Sequence, residues 1–148
     1  MGGPTAVGGT MGRYRVTKKI EFCYGHRLIN YEGKCRNLHG HNAVVEVDID
    51  AAELDALGMV IDFGEIKARL AAWIDAHLDH QLLLCERDPL LAPLRAHDQR
   101  IFVMAENPTA ENIARVIFDA AKGAGLPVAE VRLWETPSSC AGYRCDES

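Results

Sequence analysis

The sequence predicts an α+β domain, and three observations carry that expectation. Two stretches near the start alternate apolar and polar residues with the period of strands, one through Tyr14, Val16, Ile20, Phe22, Tyr24 and His26, the other through His39, His41, Ala43, Val45, Val47 and Ile49. Two later stretches carry apolar residues at helical spacing behind capping side chains. Two further strand candidates close the chain. The order strand, strand, helix, strand, helix, strand, strand shows no internal repeat and no shift of composition, so 148 residues make one domain, with helices on one side of a largely antiparallel sheet.

Each element has a local reason. The first two strands share a parity rule that places each one's histidines on its own apolar face, so an antiparallel hairpin closed by residues 27–38 brings His26 to His39 and His41. Asp62 is positioned to cap a helix, with Glu65 three residues on as a capping-box partner. Phe63, Ile66, Leu70, Trp73, Ile74 and His77 then form one stripe up to about Leu78. Trp73 reads as core and His77 as a packed or capping histidine. A long connection from Asp79 through Pro89 and Pro93 to Gln99 follows, in which His97 is expected to be solvated. Ile101 to Met104 reads as a short buried strand. Thr109 caps a second helix whose inner stripe is Ile113, Val116, Ile117 and Ala120, ending near Gly123 or Gly125 with Pro127 beyond. Ala129 to Glu135 and Ala141 to Cys145 are the last strands. Residues 1–11 are Gly-rich and aperiodic and are expected to be a disordered arm or a cloning remnant, with the domain spanning 12–148.

The chemistry concentrates in one segment. Three imidazoles converging through strand parity make a metal site, and three neutral histidines leave zinc one open coordination position, as catalytic sites do. Cys35 offers two readings: as fourth ligand it closes the site and makes it structural, whereas the lack of short-spaced cysteine pairs favours the open arrangement. If not a ligand, Cys35 lies near a dication and between Lys34 and Arg36, where positive charge favours thiolate and hence a base or nucleophile. Cys23, Cys85, Cys140 and Cys145 read as inert thiols. The bland alternative, three ordinary loop and core histidines, asks for a coincidence of parity.

Composition narrows the field. A net charge of −5 with scattered basic residues leaves no footprint for nucleic acid or an anionic membrane. No apolar run is long enough to span a bilayer. Five cysteines, an odd number, and no secretory apolar region point to a reducing, cytoplasmic setting.

With these residues placed, the chain resembles the family of 6-pyruvoyl tetrahydropterin synthases and 6-carboxytetrahydropterin synthases from about Tyr14 to Tyr143. The landmarks are Phe22 to Leu28, Cys35-Arg36-Asn37-Leu38-His39-Gly40-His41, Gly58 to Phe63, Leu78-Asp79-His80, Pro108-Thr109-Ala110-Glu111-Asn112, and Glu135-Thr136. The resemblance implies a T-fold whose sheets close into a barrel, a homohexamer of two stacked trimers, and sites between subunits. It implies that His26, His39 and His41 hold Zn2+, that Cys35 is the catalytic base, and that Asp79 and His80 form a proton relay. Glu135 would anchor a pterin ring with help from Thr109 and Glu111. Without it, Asp79-His80 reads as a helix end and Glu135 as a strand-end carboxylate.

The implied reaction is that of a zinc-dependent lyase on 7,8-dihydroneopterin triphosphate. The Cys-x-x-x-His-Gly-His spacing and the nine-residue step from His26 to Cys35 are similar to the bacterial queuosine-pathway enzymes, which release acetaldehyde and triphosphate and leave 6-carboxy-5,6,7,8-tetrahydropterin. The alternatives are pyruvoyl formation by triphosphate elimination and a non-catalytic, zinc-stabilised binding module. One segment departs from the family: after His80 a polar continuation gives way to Gln81-Leu82-Leu83-Leu84-Cys85-Glu86-Arg87-Asp88.

Overall fold

A six-stranded sheet, built from β1 (Tyr14–His26), β2 (His39–Ala51), β3 (Gln81–Cys85), β4 (Ile101–Met104), β5 (Val128–Thr136) and β6 (Ser139–Arg144) in the order β4-β3-β1-β2-β5-β6, organises the computed structural model, which describes residues 12–146. The arm expected over residues 1–11 lies outside the described residues. Strands β1 (Tyr14–His26) and β2 (His39–Ala51) pair antiparallel along their whole length, with His26 opposite His39, Tyr24 opposite His41 and Phe22 opposite Ala43. The register follows from parity: a one-residue slip would turn Ile20, Phe22, Val45 and Val47 out of the core.

A helical run follows β2. Helix α1 (Phe63–Ile66) passes through a π turn (Lys67–Ala71) into α2 (Ala72–His77). Asp62 caps it by accepting from the Gly64 N–H at 2.8 Å. Glu65 does not complete a capping box, because its carboxylate pairs with Arg69 one turn on, at 3.0 Å. The π turn has a packing reason. Ile66, Leu70, Ile74 and Leu78 are all buried at steps of four, a spacing that drifts off one face of a 3.6-residue helix and that a wider turn brings back. Phe63, expected in that stripe, is exposed. His77, also expected in that stripe, is exposed, though it stacks on Trp73 and its Nδ1–H donates to the Trp73 carbonyl at 2.9 Å.

The connection expected from Asp79 to Gln99 contains two further elements. Strand β3 (Gln81–Cys85) lies parallel to β1, helix α3 (Leu91–Ala96) crosses over, and β4 (Ile101–Met104) lies parallel to β3. The sheet is therefore mixed: antiparallel in its β1-β2-β5-β6 part and parallel at its β3-β4 edge. Helix α4 (Ala110–Gly123) begins at Thr109, whose hydroxyl accepts from the Asn112 N–H at 3.2 Å. It ends where Gly125 takes φ of +84°. Strands β5 (Val128–Thr136) and β6 (Ser139–Arg144) complete the sheet.

The inward residues of β1, β2 and β5 join Ile66, Leu70 and Ile74 and the buried face of α4 in one core, so the long helices cover one face of the sheet. The other face is charged. There Arg132 bridges Glu46, Asp48 and Glu130, and Trp134 Nε1–H donates to Glu46 at 2.7 Å.

Candidate active site

The three histidines meet where β1 ends and β2 begins. His26 is buried, and its Nε2 lies 3.0 Å from His39 Nε2 and 3.1 Å from His41 Nε2. Gly40 lets the strands close on this point, because a Cβ there would stand 3.1 Å from the Tyr24 carbonyl oxygen. Backbone carbonyls fix two of the tautomers. His26 Nδ1 lies 2.7 Å from the Pro108 carbonyl oxygen and His39 Nδ1 lies 2.7 Å from that of Asn37. A carbonyl only accepts, so both rings carry their proton on Nδ1 and present a bare Nε2.

The His26–His39 contact thus sets one lone pair against another, which a shared cation relieves. Bonds of about 2.0–2.1 Å to a tetrahedral ion set donor nitrogens about 3.3 Å apart, close to the spacing here. Burial, reinforced by the neighbouring imidazoles and opposed by the Pro108 carbonyl, lowers the pKa of His26 and keeps it neutral, as a ligand must be. The donor set fits a divalent ion of borderline softness. Among the described residues this group is His26, His39 and His41 alone, without Cys35.

Cys35 sits in a 3₁₀ turn (Lys34–Arg36) whose loop is closed by Leu28 N–H donating to the Cys35 carbonyl at 2.8 Å. It lines a cavity of about 240 Å³ together with His26, Thr109, Glu111 and Glu135. Glu135 Oε1 accepts from the Tyr24 hydroxyl at 3.2 Å and stands 3.9 Å from His26 Nε2. Burial, aided by that carboxylate, pushes the Tyr24 phenol up, so it remains a donor. Cys35, Glu135 and His26 therefore border one small space, while His39 and His41, in contact with His26, line a different one.

Asp79 and His80 are placed elsewhere. His80 lines a cavity of about 780 Å³ with Cys23, His39 and His41, and Asp79 adjoins it through His80. His80 takes φ of +58°, its N–H donates to the Cys23 carbonyl at 2.7 Å, and its Nδ1 lies 2.8 Å from Asp79 Oδ2. The other Asp79 oxygen accepts from the Cys23 N–H at 3.0 Å. Burial disfavours the charged carboxylate, but these hydrogen bonds and His80 outweigh it and hold Asp79 below the ordinary carboxylate range. Within one chain the pair does not share the Cys35 cavity.

Two contributors escape sequence reasoning. Tyr24 shares the parity of His26 and could have been read as a site residue from it. Asn107 clamps the Cys35 loop: its Oδ1 accepts from the Ile29 N–H and its Nδ2–H donates to the Ile29 carbonyl, each at 2.9 Å across 78 residues of chain. Its only sequence signal is an amide ahead of Pro108.

Comparison with known proteins agrees with this arrangement. A family model described as 6-pyruvoyl tetrahydropterin synthase matches residues 15–146. The chain belongs to the 6-pyruvoyl tetrahydropterin synthase family. Among curated members it is 41% identical to the 6-carboxy-5,6,7,8-tetrahydropterin synthase of Rickettsia felis over 131 residues, covering 84% of this chain and 95% of that one. It is 34% identical to the protein of the same name from Haemophilus influenzae, over 88% of this chain and 99% of that one. Of solved structures, an uncharacterised protein of Wolinella succinogenes aligns with a TM-score of 0.75 and 26% identity over 90% of this chain and 99% of that one. The Caenorhabditis elegans 6-pyruvoyl tetrahydropterin synthase aligns at 0.69 with 24% identity, over 92% and 98%. The fold is thus the T-fold of this family, and among the described residues no helix is long and apolar enough to cross a membrane.

Proposed function

We propose that the protein is a zinc-dependent carbon–carbon lyase. It converts 7,8-dihydroneopterin triphosphate and water to 6-carboxy-5,6,7,8-tetrahydropterin, acetaldehyde and triphosphate, as a cytoplasmic step toward queuosine. The observation that carries this reading is the small cavity that Cys35 and Glu135 share with His26, whose Nε2 converges with those of His39 and His41. Names of relatives at 41% and 34% identity support the carboxy-forming reaction. Pyruvoyl formation is the second reading, favoured by the description of the family model.

Each side chain has a task set by its surroundings. His26, His39 and His41 would hold the zinc, with the Nε2 atoms of His26 and His39 bared by carbonyl acceptors behind them. Bound zinc supplies Lewis acidity toward the hydroxyls of the substrate side chain. Glu135 offers carboxylate oxygens to the adjacent N–H donors of the pterin ring, with Thr109 and Glu111 on the same wall. Cys35 removes a side-chain proton as thiolate, and His80, held in one tautomer by Asp79, returns a proton. Because neither Asp79 nor His80 lines the Cys35 cavity of its own chain, the relay works when subunits stack as a homohexamer and His80 serves a neighbour's Cys35. The deciding experiment incubates zinc-loaded protein with 7,8-dihydroneopterin triphosphate and analyses products by mass spectrometry. Carboxytetrahydropterin with acetaldehyde establishes the proposed reaction, pyruvoyl product establishes the second reading, and unchanged substrate overturns both.

A further inference from the structure

A second cavity, of about 310 Å³, adjoins the one that holds Cys35: the two share Leu28, and Cys35 lines one while its neighbour Arg36 lines the other. Arg27, Arg36 and Arg87 all border this second space, with the side chains of Asn30 and Tyr31. That is a local concentration of guanidinium groups on a chain of net charge −5.

The three arginines differ in what they have to spare. Arg27 is committed: its Nε–H and Nη2–H donate to the two oxygens of Asp88 at 2.8 and 2.6 Å, and the Asp88 side chain is fully buried. Arg27 Nη1–H also reaches the Arg36 carbonyl at 3.4 Å, so this one guanidinium ties the segment carrying Arg36 to the segment carrying Arg87. Arg36 has no carboxylate partner among the described residues. Arg87 is more than half exposed; its Nη1–H donates to the Ala105 carbonyl at 3.1 Å, and it meets Glu106 only at 3.4 Å and Glu86 at 4.0 Å, pairs that solvent renders weak. Two guanidinium groups, positioned by a third, are therefore available to an anion. Guanidinium matches phosphate oxygens in geometry as well as charge.

We propose that Arg36 and Arg87 form a polyphosphate subsite continuous with the Cys35 cavity, which takes the triphosphate tail of the substrate. The assignment rests on the proposed reaction for the identity of the tail, but its chemistry is that of any linear polyphosphate. A space of about 240 Å³ holds a pterin ring and little more, so a charged tail must leave it. Leu28 and the Cys35–Arg36 turn mark the exit nearest the thiol. The subsite also gives a role to the unusual segment after His80, which supplies Arg87 and the Asp88 that anchors Arg27.

The test measures binding of inorganic tripolyphosphate by calorimetry, and steady-state kinetics, for the zinc-loaded wild type and for Arg36→Gln, Arg87→Gln and the double variant. The double variant is expected to weaken tripolyphosphate at least about tenfold and to raise KM for 7,8-dihydroneopterin triphosphate by a similar factor. Its affinity for 7,8-dihydroneopterin, which lacks phosphates, is expected to stay within about twofold of wild type, and circular dichroism reports the fold. Equal tripolyphosphate affinity in wild type and double variant overturns the subsite. So does an equal loss of affinity for the phosphate-free pterin, which would mean a distorted cavity. If the wild type does not consume the triphosphate substrate, the proposed reaction fails while the tripolyphosphate comparison still decides the subsite; weakened tripolyphosphate with unchanged KM assigns the site to free polyphosphate and overturns its link to the substrate.

Discussion

The two histidine groupings on this sheet are built on opposite plans. His26, His39 and His41 converge within one hairpin, with His26 buried and two rings locked by backbone carbonyls. His80 is 74% exposed at its side chain, sits on a left-handed turn, and is steadied by one carboxylate. The first group is complete within a chain and rigid, as ion binding requires. The second is oriented but open, as a group must be if it is to meet a substrate bound elsewhere. On the proposed mechanism, rigidity goes with holding an ion and exposure with moving a proton.

That contrast predicts separable losses. His39→Ala should abolish both bound zinc and turnover while leaving the circular dichroism spectrum intact, since His39 is only partly buried; elemental analysis showing a full complement of zinc in this variant would remove His39 from the ligand set. Cys35→Ala should keep its zinc and lose about 10²–10⁴ in kcat, the range for a general base. Full turnover in that variant would sink the role given to the thiol. Asp79→Asn should cost less, about 10²-fold in kcat with zinc and substrate affinity unaltered, because it misorients His80 rather than removing it. Mixing inactive Cys35→Ala and His80→Ala chains sharpens the comparison further: recovered activity in the mixed oligomer is expected if the relay serves a neighbour, and none if it serves its own chain.

The rigid group was legible in the strand pattern and the open one only through the family resemblance, for physical reasons. Alternation with period two on both β1 and β2 fixes which residues share a face, and with it the pairing of His26 and His39. Parallel strands covered on both faces show no alternation. Gln81–Cys85 is such a strand, buried at four of its five positions, and it reads as loop because nothing in its pattern separates it from the turn before it. The crossover through α3 was lost with it. Asp79 and His80 gain their geometry from Cys23, 56 residues away, through backbone groups that every residue has. Asn107 acts at similar range on Ile29. The π turn depends on how four-residue steps pack against the sheet, which only the folded helix reveals.

Both groupings hang on a sheet whose outer face depends on ionised carboxylates, and acid should separate sheet stability from site chemistry. Arg15, through its hydrogen bonds, lowers the pKa of Asp50, and Arg132 does the same for Glu46. Burial works against ionisation of Asp48, yet its hydrogen bonds from Arg132 and Thr17 win and hold it low. The same balance holds for Asp88, with Arg27 and the Leu90 N–H opposing burial. Groups whose folded pKa lies below the unfolded value stabilise the fold fully above the unfolded value, about 3.9 for Asp and 4.3 for Glu. They lose that contribution as pH falls through the folded one, because the unfolded chain binds protons first. The midpoint of urea unfolding is therefore expected to fall gently below about pH 6.5, where the unfolded chain protonates His26 before the buried, folded ring does, and to fall steeply below about 4. Asp48→Asn should start lower and fall less steeply over that interval, since one of the titrating groups is gone. An unchanged slope in Asp48→Asn would mean that the buried carboxylate contributes nothing through ionisation, and that the outer face is held by packing of Trp134 and its neighbours instead.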